Sequence, residues 1–104
     1  MQKYRVVING KNLLTEVDRI RQRLGFYTTV FVEAFTPADA EVRAIDVLRE
    51  DAHLRDIMLN MADDPLRFSV DEVQEIESFD GVLLPRVGLA LYEEKADDMD
   101  DVAS

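Results

Sequence analysis

Tyr4, Val6 and Ile8 alternate with Arg5, Val7 and Asn9, the two-residue period of a strand with both faces at least partly covered. Asn9-Gly10 follows as a turn signal. Two readings compete for the next stretch. In one, Thr15 caps a short helix, Asp18 stands third in it, and Leu13, Val17, Ile20 and Leu24 fall on one face, with Gly25 as the residue after its end. In the other, Asn9-Gly10 closes a hairpin into Lys11–Leu14. The helix is the expectation for residues 13–24. Residues 26–35 are almost wholly aromatic and β-branched, the types that fit a pleated surface, and predict a central strand.

Thr36-Pro37 with Asp39 is a strong helix start. The spacing predicts a helix to about Glu50, with Ala40, Ala44, Ile45, Val47 and Leu48 inward and Glu41, Arg43, Asp46, Arg49 and Glu50 in water. Two alanines four apart allow close approach to a sheet. A second short helix, about Ala52 to Leu59, presents Leu54, Ile57 and Met58, and Asn60 and Asp63-Asp64-Pro65 end it. Residues 66–79 are ambiguous. Ser69 with Glu72 makes a formal capping box, and Val70, Val73 and Ile76 repeat every third residue. Asp80-Gly81 instead signals a hairpin into the alternation of Val87, Leu89 and Leu91. The expectation is a strand over Glu72–Phe79 paired with that alternation, Pro85 keeping the pairing near it to an edge or a loop. Together these elements predict an α+β two-layer sandwich, order β-α-β-α-α-β-β, with about four mainly antiparallel strands and helices on one face.

At 104 residues, one domain over 1–94 is expected, followed by a flexible acidic tail over 95–104 that contains Asp97, Asp98, Asp100 and Asp101. The net charge of −10 is unevenly placed. Residues 1–31 carry six basic and two acidic side chains, and 32–92 carry five basic and fourteen acidic. A basic protein is therefore an easier partner than a nucleic acid. With no Cys and a single His, disulfide frameworks, thiolate chemistry, Cys-based zinc sites and His-pair motifs are excluded within the chain. Val6-Val7-Ile8 is too short for a signal-peptide core, and no window approaches a membrane span. The expected location is cytoplasmic.

Candidate chemistry is sparse. No phosphate-cradling or nucleophile-elbow glycine motif occurs, so neither a cofactor nor a metal is expected, and no catalytic residue. His53 stands beside Asp51 and Asp56 without a nucleophile motif, and is expected to be an exposed junction residue. Lys11, Arg19, Arg21 and Arg23 form a candidate anion-facing patch, with Arg19 and Arg23 four apart on the expected helix. Glu72, Glu75 and Glu77 form a candidate acidic partner face, Glu75 and Glu77 on one side of the expected strand.

The block from Gly25 to Ile45, an aromatic-rich strand ending in Val-Glu-Ala and running into a capped, Ala-rich helix, resembles small uncharacterised bacterial α+β proteins, as does Glu-Ile-Glu-Ser-Phe at residues 75–79. The resemblance covers about half the chain and implies an α+β fold and a bacterial source. It carries over no site residue. The leading functional expectation is a non-catalytic acidic interaction module, such as an adaptor, inhibitor or immunity-like protein, with a basic protein as partner. The alternatives are a small homodimeric ligand-binding or catalytic domain and, more weakly, polyanion binding through the basic N-terminal third.

Overall fold

A computed structural model describes residues 1–82 and 88–94. The elements are β1 (Gln2–Val17), β2 (Ile20–Ala34), α1 (Pro37–Arg49), α2 (Ala52–Ile57), β3 (Arg67–Ile76) and β4 (Ala90–Glu93). Four strands form an open antiparallel sheet in the order β3-β1-β2-β4, and with the two helices this makes an α+β domain. The expected tail, together with Pro85 and Val87, lies outside the described residues.

The helix expected over 13–24 is not there. Those residues are the outer half of one long β1–β2 hairpin. The four apolar residues that mimic a helix face are cross-strand partners instead: Leu13 pairs with Leu24, and Val17 with Ile20. Residues placed symmetrically about a hairpin turn can reproduce helical spacing, so the periodicity alone could not separate the two. Asn9-Gly10 is not the turn either. The chain reverses at Asp18 and Arg19, both in the left-handed region (φ 53° and 68°), as a type I′ turn requires. Thr15 and Gly25, expected as helix caps, both lie within strands, buried.

Two bulges set which side chains face the core. Between Gly10↔Phe26 and Leu13↔Leu24, two residues of β1 oppose one of β2. The extra residue switches the side of the strand that faces inward. The buried positions of β1 accordingly run Tyr4, Val6, Ile8 and then Leu13 and Thr15. A second bulge at Asp71 separates Val7↔Glu72 from Ile8↔Val70. It explains the spacing of Val70 and Val73, which reach the same face only with one residue inserted between them, while Ile76, opposite Lys3, lies on the other face.

The strand expected at 72–79 begins earlier, at Arg67, and ends at Ile76. It does not form a hairpin with the later strand: β3 and β4 lie on opposite edges. A turn does form, with Gly81 at φ 85° and Val82 N–H donating to Phe79 O at 2.9 Å. Phe79 then packs edge-on against Phe31 (centroids 6.3 Å), and the Lys3 ammonium lies 5.9 Å from its ring.

The helices form as their signals predict. Thr36 Oγ1 accepts from Asp39 N–H at 3.1 Å, Pro37 opens α1, and Asp39 holds Arg43 one turn on at 2.9 Å. Asp51 caps α2 by accepting from Leu54 N–H at 3.1 Å. Ala40, Ala44 and Leu48 of α1 and Leu54 of α2 share one core with Tyr4, Val6, Ile8, Leu13, Phe26, Val30, Val32 and Ala34. Phe26 is fully buried with its ring folded over Gly10, where an added Cβ would fall 2.3 Å from the ring carbons. The opposite face carries Lys3, Arg5, Val7, Asn9 and Lys11 of β1 beside Glu33, Phe31, Thr29 and Tyr27 of β2.

Candidate functional site

The acidic row is an edge. Among the described residues β3 pairs on one side only, with β1, so its other side presents free backbone donors and acceptors along ten residues. Asp71, Glu72, Glu75 and Glu77 are exposed along it. They are divided between the two faces of the sheet. Register places Glu72 opposite Val7 on the sheet face without helices, where it receives Arg5 Nη1 at 3.4 Å; the same nitrogen donates to Gln74 Oε1 at 3.1 Å. Glu75 lies opposite buried Tyr4 on the other face. Burial first, and then the charge of Glu75, raise the Tyr4 hydroxyl above its ordinary pKa. Glu77 follows the end of β3. The carboxylates therefore flank the free edge from both faces. Neither Glu75 nor Glu77 makes an ion pair with another described residue.

The basic cluster is divided. Arg19 sits at the hairpin tip, and Arg21 lies opposite Glu16, so the shared helical face expected for Arg19 and Arg23 does not exist. Lys11 and Arg23 instead meet in a depression of about 780 Å³, together with Asn9, Tyr27, Arg67 and Tyr92, beside Glu93 and Glu94. Arg67 comes from β3, directly opposite Lys11. Asn9 Nδ2 donates to Phe26 O (3.0 Å) and to the Tyr92 hydroxyl (2.9 Å), and the Tyr92 ring stacks obliquely on Tyr27 with centroids 5.5 Å apart. That ring lies over Gly25, where a Cβ would fall 2.1 Å away. The sequence signals missed here are Arg67, Asn9 and Tyr92. Each reaches the site from a different strand, so no spacing rule along the chain unites them.

Arg23 is not a free cation. Its Nη1 lies 2.7 Å from both Asn12 Oδ1 and Asp64 Oδ2. Asn12, in the bulge at φ 66° and almost fully buried, also donates through Nδ2 to Asp64 Oδ1 and Pro65 O, while its main-chain N–H donates to Glu94. Hydrogen bonds from Asn12 and then Arg23 hold the Asp64 carboxyl below the usual carboxylate range. Asn60 completes this polar knot. Its Nδ2 donates to Asn12 O and Asp64 O at 2.8 Å, and its Oδ1 accepts from Leu14 N–H at 2.9 Å. The knot clamps the hairpin, and its polar atoms are spent on one another.

His53 is exposed on α2. Among the described residues no cluster of three or more His, Asp or Glu is arranged to hold a metal ion, and no helix is long and apolar enough to cross a membrane. No protein family, curated protein or solved structure was found to match the chain.

Proposed function

We propose that this protein is a non-catalytic interaction module, a two-layer α+β domain of the adaptor, inhibitor or immunity type, whose β3 edge accepts an extended basic segment of a partner protein. The observation that carries this reading is a ten-residue strand that, among the described residues, pairs on one side only, with carboxylates flanking its other edge. An unpaired strand supplies main-chain hydrogen bonds to an added strand, and pockets or charges on alternate positions select its sequence. Like charge along the edge disfavours addition of a second copy of β3. Lysines and arginines on an incoming strand would meet Glu72 from one face and Glu75 from the other. The overall charge of −10 would speed the encounter with a basic partner at low salt.

The test is titration of isotope-labelled protein with a peptide as long as β3 built of Lys-Lys-Thr-Thr repeats, which puts lysines on both faces of an added strand. The expected result is perturbation and slowed hydrogen exchange of β3 amides, with affinity falling steeply as salt rises. Neutralising Glu72, Glu75 and Glu77 together to Gln should slow association by on the order of tenfold. An unchanged association rate, or a response confined to residues away from β3, would overturn the reading.

The depression lined by Lys11, Arg23, Arg67, Tyr27 and Tyr92 favours a second reading, a small ligand-binding domain for an anion. Its check is titration with inorganic phosphate and with a short oligonucleotide at low salt, where phosphate contacts are strongest. Binding that is lost in Lys11→Gln/Arg67→Gln would support it. A flat titration would remove both it and the polyanion alternative.

A further inference from the structure

A second cavity lies on the other side of the molecule, where the end of α1, α2 and the loop leading into β3 meet. Its volume is about 380 Å³, equivalent to roughly a dozen water molecules. Its walls are apolar: Leu48 and Leu54, both buried, with Met58, Leu66 and Phe68. Met61, 70% exposed, stands at its mouth. The charged residues of its lining are two arginines, Arg49 and Arg55, with no Asp or Glu. That is the reverse of what the composition would place there, since acidic residues outnumber basic ones by 22 to 12.

The two arginines are also not consumed by the fold. Neither makes an ion pair among the described residues. Arg55 is oriented by one bond, Nε–H to the Arg49 carbonyl at 2.9 Å, which leaves its terminal nitrogens available as donors. The neighbouring amide, Asn60, is already spent on the clamp of the hairpin. The cavity therefore combines a mainly apolar lining with two arginines that no ion pair among the described residues consumes.

We infer that this cavity binds a small amphipathic monocarboxylate, its apolar body of roughly ten heavy atoms lying between Leu54, Met58, Leu66 and Phe68 and its carboxylate held by Arg49 and Arg55. Guanidinium is the group best matched to a carboxylate, because its planar fork offers parallel donors. A cationic ligand has no partner in the lining. A doubly charged anion gains nothing further from the apolar interior. Met58 and Met61 supply unbranched, adaptable walls that accept variation in the shape of the apolar body. This site is separate from the β3 edge and does not depend on the reading given to that edge.

The chain carries its own reporters. With methionine methyl groups labelled, Met58 and Met61 read the cavity and Met1 serves as a reference far from it in sequence. Octanoate should produce saturable shifts at Met58 and Met61, with an affinity on the order of 1 mM for a ligand of this size. 1-Octanol and octylamine test the head group and should bind about tenfold more weakly or less. The double variant Arg49→Gln/Arg55→Gln, at two exposed positions, should lose about tenfold in octanoate affinity while octanol binding stays unchanged. Silence at both methyl groups would overturn the inference. So would an equal response to octylamine, or octanoate binding undiminished in the double variant. An acetate control that shifts the same methyl groups as strongly would assign the effect to the charge alone and reject the apolar site.

Discussion

The β1–β2 hairpin is one continuous ladder held in two different ways. Its inner half, Gln2–Gly10 against Phe26–Ala34, is interior to the sheet and packed by α1. Tyr4, Val6, Ile8, Phe26 and Val30 are buried there among Ala40, Ala44 and Leu48. Its outer half, Leu13–Val17 against Ile20–Leu24, extends past the end of β3, whose last partner along β1 is Lys11. There the neighbour of β1 is a loop. Leu59 N–H donates to Leu14 O at 2.8 Å, the Asn60 side chain takes the place of a strand, and Asn12, Arg23 and Asp64 close the knot. Ile20 at the tip is 61% exposed. Burial of apolar area dominates the inner half, whereas in the outer half buried Leu13 and Leu24 are joined by a knot of satisfied polar groups, so the two should fail differently.

The largest expected effect is at Phe26. Phe26→Ala removes a fully buried ring that covers Gly10 and meets Phe68 edge-on at 6.3 Å. The loss should be about 3–5 kcal/mol, read as a lower midpoint in denaturant unfolding, with exchange accelerated throughout the sheet. Asn12→Ala comes next. It removes the Asn12 bonds to Asp64 and Arg23, leaving those two only each other, and leaves a bulge at positive φ without its side-chain bonds. The expected cost is about 2 kcal/mol. Amides of the outer half, such as Thr15 and Gln22, should exchange faster well before those of Val6 and Val30 do. Uniform acceleration in both halves would break the comparison.

Acidification should sharpen it. Asp64 has its pKa lowered in the fold, by Asn12 first and Arg23 second. The stabilisation is therefore complete above the ordinary carboxylate range and is lost as pH falls through the lowered folded value. The partly exposed position of Asp64 keeps the effect below that of Asn12→Ala. Outer-half exchange should rise on descending through that range, and Asp64→Asn should abolish the pH dependence. The smallest effect belongs to the tip. Arg19 sits at φ 68°, where a side chain costs energy that glycine avoids. Arg19→Gly should raise stability by up to about 1 kcal/mol, less what the freer unfolded chain takes back. A change seen only in the outer half would confirm that the halves respond separately.

These differences also separate what was legible from what was not. The capped helix from Pro37, its inward Ala40, Ala44 and Leu48, the short helix after Asp51 and the strand at 26–34 were all readable, because each depends on neighbours within a turn or on a local run of residue types. The outer hairpin was not. Its turn is Asp-Arg, lacking the glycine that advertises a type I′ turn, and its apolar residues imitate a helix. The bulge at Asp71 hid the first half of β3, by setting Val70 and Val73 of one face three residues apart.

By itself, the chain determined which residue types it lacks, the capped start of α1 at Thr36 and its strongest strand, the last two set by bonds and sterics between near neighbours. Tertiary structure alone decided that β3 and β4 take opposite edges, that Glu72 and Glu75 flank one edge from two faces, and that Lys11, Arg23 and Arg67 meet. It also brought Arg49 and Arg55 into the lining of a mainly apolar cavity. Strand order and bulges fix those juxtapositions. Both follow from which long-range pairings bury the most apolar surface while leaving no buried polar group unpaired, a sum over distant residues that no local spacing encodes.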